Sequence, residues 1–114
     1  MQILDMPVID PADLSIRMAE LQRMRVALVI LLSQETSKLL SRRQRVAGKE
    51  IEVMCAERDL HEGTETDRNQ QALDALYDQE RAVRADLEQT ESEIRQMEDV
   101  LAKIDTDISR LCQA

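Results

Sequence analysis

From Leu73 to Leu111 apolar residues recur at alternating intervals of three and four: Leu73, Leu76, Glu80, Val83, Leu87, Thr90, Ile94, Met97, Leu101, Ile104, Ile108 and Leu111. Ten of these twelve positions are apolar, over five and a half heptads, and the intervening residues are rich in Asp, Glu, Arg and Gln. A 3.5-residue period sustained that long specifies one helix packed lengthwise on another. Composition agrees. Two glycines and two prolines in 114 residues cannot supply the turns of a sandwich or barrel. With no Phe or Trp, and Tyr77 as the sole aromatic, a compact mixed core is excluded. Regular Leu, Ile, Val and Met exclude disorder. The expected class is all-α.

The boundaries of two helices can be placed. Asp10 is a candidate N-cap, with Pro11 in the first helical position and Asp13 in the third, where a capping-box acid belongs. Ile9 and Leu14 occupy the hydrophobic-staple positions. Residues 1–9 precede this signal as an apolar tail. No proline follows Pro11, and Gly48 alone does not end a helix. The punctuation lies at His61-Glu62-Gly63-Thr64-Glu65-Thr66-Asp67. Gly63 suits a left-handed position after a helix end, and Thr64 followed by Asp67 forms a second cap. The expectation is a hairpin over 10–114: helix about 11–61, turn about 62–66, helix about 65–112. Each helix would be roughly 70 Å long, and the short connection makes the pair antiparallel.

The first helix is less regular. Its path is Leu14, Met18, Leu21, Arg25, Leu28, Leu32, Glu35, Leu39, Arg42, Val46, Lys49, Val53, Ala56 and Leu60, polar at four of fourteen places. Val26-Ala27-Leu28-Val29-Ile30-Leu31-Leu32 is apolar on every side. A helix apolar all round needs cover all round, and one partner helix covers a single stripe. The tail, a second copy of the chain, or another protein must supply the rest, and self-association is the first expectation, giving a helical bundle. If Leu28, Leu32, Leu39 and Val46 form the seam, then Val26, Val29 and Ile30 point elsewhere. They are the candidate partner-binding residues, with the adaptable side chains of Met18 and Met24 beside them.

Charge is uneven. Residues 1–60 hold nine basic and nine acidic side chains; residues 61–114 hold six and fourteen. An acidic chain of net charge −8 has no electrostatic basis for nucleic-acid binding. Folding at residue 64 puts position i opposite about 128 − i. The basic stretch Lys38, Arg42, Arg43, Arg45, Lys49 then lies along Asp78, Glu80, Asp86, Glu88, Glu91 and Glu93, an arrangement that sets pairing and orientation. Internal pairing is the expected role of Arg42, Arg43 and Arg45. Contact with an acidic partner surface is the alternative.

Catalytic chemistry has no foothold. His61, the only histidine, sits where an imidazolium suits a helix C-terminus. Glu57 and His61 are one residue too far apart for the Glu-x-x-His pattern of helical metal sites. The two glycines are fifteen residues apart and cradle no phosphate. Cys55 and Cys112 fall at distant hairpin positions and are expected as free thiols. No catalytic residue, metal or cofactor is expected. The longest apolar run, seven residues, falls short of the roughly 20 that span a bilayer. The start lacks the basic region of a signal peptide. A reduced, cytoplasmic setting follows as an expectation.

Leu21-Gln22-Arg23-Met24-Arg25, the Arg42-Arg43-Gln44-Arg45 cluster and the heptads of the second helix, taken with the expected architecture over about residues 12–112, resemble the FliJ/YscO-type proteins of flagellar and virulence type III secretion systems. Those proteins look like the central stalk of rotary ATPases and engage export chaperones. The resemblance implies a cytoplasmic, non-enzymatic adaptor, stalk or chaperone working through helix–helix protein contacts. A purely structural homo-oligomeric bundle, serving as spacer or scaffold, is the alternative.

Overall fold

The computed structural model describes residues 10–63 and 65–113, and they form an all-α helical hairpin. Helix α1 spans Pro11–Glu62 and α2 spans Thr66–Gln113. The tail 1–9, with Ile9 of the staple, and Thr64 lie outside the described residues.

The first cap forms as its residues dictate. The Asp10 carboxylate accepts from the Ala12 amide at 3.2 Å, and its carbonyl accepts the first helical bond from Leu14 at 2.9 Å. The turn departs from expectation in two ways. Helix α2 opens with the Glu65 carbonyl accepting from the Asn69 amide at 2.9 Å. Glu65 therefore holds the cap position, one residue beyond the expected Thr64. Nor does Gly63 adopt a positive φ. Its amide instead continues the helical pattern to the Asp59 carbonyl at 2.7 Å. Glycine is needed there for space: an added Cβ would lie 2.6 Å from the Asp59 carbonyl oxygen and 2.8 Å from the side-chain Nδ2 of Asn69.

The chain divides into two compact units, each containing part of both helices. Among the described residues the first comprises 10–32 and 96–113. Here Leu21 and Ile104 are buried, and Arg25 donates to Asp105 at 2.7 Å, which fixes α1 against an antiparallel stretch of α2. The second unit, residues 33–95, contains the turn. Its buried apolar residues are Val46, Val53 and Leu73. Across it Lys49 donates to Gln79 at 2.8 Å, Arg84 to Glu50 at 2.8 Å, and the Tyr77 hydroxyl to Glu57 at 3.0 Å.

All twelve heptad positions of α2 are buried or half-buried, as are thirteen of the fourteen positions on the expected path of α1. The exception is Arg25, which extends outward to its carboxylate partner.

Candidate protein-binding face

The polar residues on the seam are resolved by local partners. Thr90 is fully buried; its hydroxyl donates to the Asp86 carbonyl at 3.0 Å and accepts from the Arg42 guanidinium. A threonine facing a core is stable only when the hydroxyl is satisfied in this way. Two turns before Arg42, buried Glu35 accepts from Lys38 at 2.8 Å. That hydrogen bond holds its carboxyl below the ordinary value of 4.5, against the opposing effect of burial and with lesser help from the Lys38 charge, Glu93 and Arg42. The other oxygen, Oε2, is buried and meets no hydrogen-bond donor among the described residues. The bond it donates to Glu57 keeps the Tyr77 phenol protonated to higher pH than usual, and burial and the charges of Glu57, Glu80 and Asp74 act the same way. Arg84, held by Glu80 and Glu50, has its pKa raised.

These contacts correct the expected charge pairing. Among the described residues the ion pairs between the helices are Arg25–Asp105 and Arg84–Glu50. Neither joins the basic stretch of α1 to the acids of α2. Arg42 turns inward to a hydroxyl, and Lys49 binds Gln79 and its own neighbour Glu52. Arg43 and Arg45 are exposed and make no hydrogen bond or ion pair among the described residues. The physical reason is the choice of partner, not register. Lys49 meets Gln79 at the position that a fold centred on residue 64 assigns to it, but Arg42 and Lys49 reach the neutral Thr90 hydroxyl and Gln79 amide instead of the neighbouring acids of α2. Arg43 and Arg45 flank the seam position Val46 on either side, where charged residues commonly act between helices.

The expected binding residues separate into two groups. Val26, Val29, Ile30 and Met24 are exposed, Val26 by 59% and Ile30 by 53%. Met18 is half-buried and takes its place on the seam between the helices, so it does not belong to the outward face. With the seam at heptad positions a and d, Val29 and Met24 flank it, whereas Val26 and Ile30 point directly away.

The sequence reading missed how far this outward apolar character extends. In the first unit Ala12, Ile16, Ala19, Arg23, Val26 and Ile30 follow a second 3-4 spacing, at the b and f positions that normally carry charge. Ala19, Gln22, Arg23, Val26, Ala27 and Ile30 line an open groove. In the second unit the same positions hold exposed Leu40, Ile51 and Met54. Every b position of α1 from Ala12 to Met54 is uncharged. On α2 the corresponding positions include Asp74, Asp78, Arg81, Glu88, Arg95 and Asp99, all exposed. The signal was available: once the seam residues are set aside, the remaining apolar residues of α1 repeat the heptad.

Around this face there is no cluster suited to chemistry. Among the described residues no group of three or more His, Cys, Asp or Glu could hold a metal ion. Cys55 and Cys112 are exposed free thiols, and His61 occupies the last turn of α1. No described helix is long and apolar enough to cross a membrane. A scan against protein-family models, a search of curated proteins and a search of solved structures each matched nothing.

Proposed function

We propose that this chain is a non-enzymatic coiled-coil adaptor, stalk or chaperone, acting on other proteins through the outward face of α1. The observation that carries this reading is the exposure of Val26 and Ile30 on the side of the helix that α2 does not cover. Exposed apolar residues in a helical 3-4 repeat suit helix-in-groove or coiled-coil recognition, in which anchors one and two turns apart enter a partner's apolar surface. Arg43 and Arg45, left without internal partners, add a basic contact for an acidic rim. The hairpin architecture and the arginine cluster support a place among the cytoplasmic stalk or escort proteins of a bacterial type III secretion apparatus.

The test is recovery of the native complex from the source cell by the tagged full chain, with mass spectrometry of what accompanies it. Val29→Glu with Ile30→Glu should retain the helical circular-dichroism signal while abolishing partner capture, because two charges enter an apolar contact. Unchanged capture would exclude this face. Recovery of an export ATPase or export chaperone, lost in the variant, is the result expected for the secretion role.

A further inference from the structure

In the first unit the outward face of α1 complements itself. Along it large and small side chains alternate: Ala19, Arg23, Val26 and Ile30 recur at intervals of four, three and four. That order is unchanged in spacing when reversed. If a second copy is turned end for end about an axis midway between residues 23 and 26, Ile30 meets Ala19 of the other copy and Val26 meets Arg23. The short Ala19 side chain leaves room for the Ile30 branch, which is the large-into-small fit that close helix packing requires. The Val26 methyls lie on the aliphatic stem of Arg23, whose guanidinium reaches water at the rim.

Charge selects α1 for this contact. In the first unit α1 carries Asp13 and Glu20 against Arg17, Arg23 and Arg25, so two copies meet with little net repulsion. The α2 segment of the same unit carries Glu98, Asp99, Asp105 and Asp107 against Lys103 and Arg110, and repels its like. We infer that the groove lined by Ala19, Arg23, Val26 and Ile30 is the interface of an antiparallel homodimer of this chain. The inference rests on the reading of this face as a helix-binding surface, and it names the occupant: a second copy, which an incoming partner helix would replace.

Two measurements on the full chain test it. Light scattering during gel filtration should give a dimer at tens of micromolar. Val26→Glu with Ile30→Glu should weaken association about 100-fold at unchanged helix content, whereas Val100→Glu, an exposed apolar site on α2, should leave the dimer intact. For the geometry, Ala19→Cys and Ile30→Cys are made separately in a chain whose Cys55 and Cys112 are serine. Mild oxidation of the mixture should link the two variants, and neither should link to itself. Two copies of residue 19 would be eleven residues apart along the axis, about 16 Å, beyond the Cα limit of about 7 Å for a disulfide. Self-linking of Ala19→Cys would indicate parallel pairing and overturn the inference. A wild-type monomer at these concentrations whose partner capture still depends on Val26 and Ile30 would overturn the homodimer alone. A dimer indifferent to Val26→Glu with Ile30→Glu would overturn the face itself.

Discussion

At the scale of single residues, the two glycines show that one residue type can be present for opposite reasons. A Cβ added at Gly48 meets nothing within 4 Å, and the residue is exposed in the middle of α1. Gly48→Ala should therefore stabilise the chain by about 0.5–1 kcal/mol, the difference in helix propensity. At Gly63 the same substitution drives a methyl against the Asp59 carbonyl oxygen and displaces the Asn69 side chain, which bonds that carbonyl at 3.4 Å. Gly63→Ala should destabilise by about 1–3 kcal/mol, and thermal melts of the two variants should move in opposite directions. Glu35 gives a pH signature. Its folded pKa lies below the ordinary value, chiefly through the Lys38 hydrogen bond. Its contribution to stability is therefore present above the unfolded pKa and lost as pH falls through the folded one. Glu35→Gln should flatten the fall in melting temperature below pH 4.5, the ordinary value. An equally steep acid limb in the variant would assign that fall to other carboxylates.

At the scale of the helices, the period of α2 was fully legible because it has one apolar stripe and charge elsewhere, so even Glu80 and Thr90 could be placed on the seam from spacing alone. The α1 pattern was harder to separate. It bears apolar residues on two opposed faces, Leu21, Leu28 and Val46 inward and Ile16, Val26 and Ile30 outward, and the two stripes blur each other. What spacing could not give was the partner of each polar seam residue. Opposed charge blocks suggested ion pairing for Arg42, but its long side chain reaches the Thr90 hydroxyl within the core, where no exposed acid competes. Nor could residue identity show that Gly63 stays out of the left-handed region, because either geometry places a glycine there. The Arg42–Thr90 contact supports a prediction about pairing. Thr90→Val keeps the shape but leaves the half-buried guanidinium without that acceptor, and should cost about 1–3 kcal/mol. Adding Arg42→Leu should restore most of the loss, since an apolar pair of similar volume needs no hydrogen bond. A double-mutant cycle measures the coupling. The restored chain should also pair its helices less uniquely, because a polar layer inside a coiled coil specifies register.

At the scale of the whole chain, a net charge of −8 coexists with exposed Ile16, Val26, Ile30, Leu40, Ile51 and Met54 on α1. Apolar faces of this kind promote association without limit unless something opposes it, and the acid-rich α2 is the available opposition. The balance should therefore depend on pH. As pH falls toward the isoelectric point of about 4.6, the carboxylates lose charge and the repulsion between copies fades. Light scattering should then show growth beyond the smallest species while circular dichroism still reports intact helices. Salt should act in the same direction at neutral pH, since at 0.1 M the screening length is about 10 Å. Acid also removes the stabilisation that Glu35 provides, and opening of the hairpin is a second route to growth. Glu35→Gln separates the two causes: it abolishes that residue's pH-dependent stability and changes the net charge by a single unit. If growth begins at the same pH in the variant, loss of surface repulsion is the cause. If it no longer follows pH, opening at the Glu35 layer is the cause, and the acidic face of α2 does not set the limit on assembly.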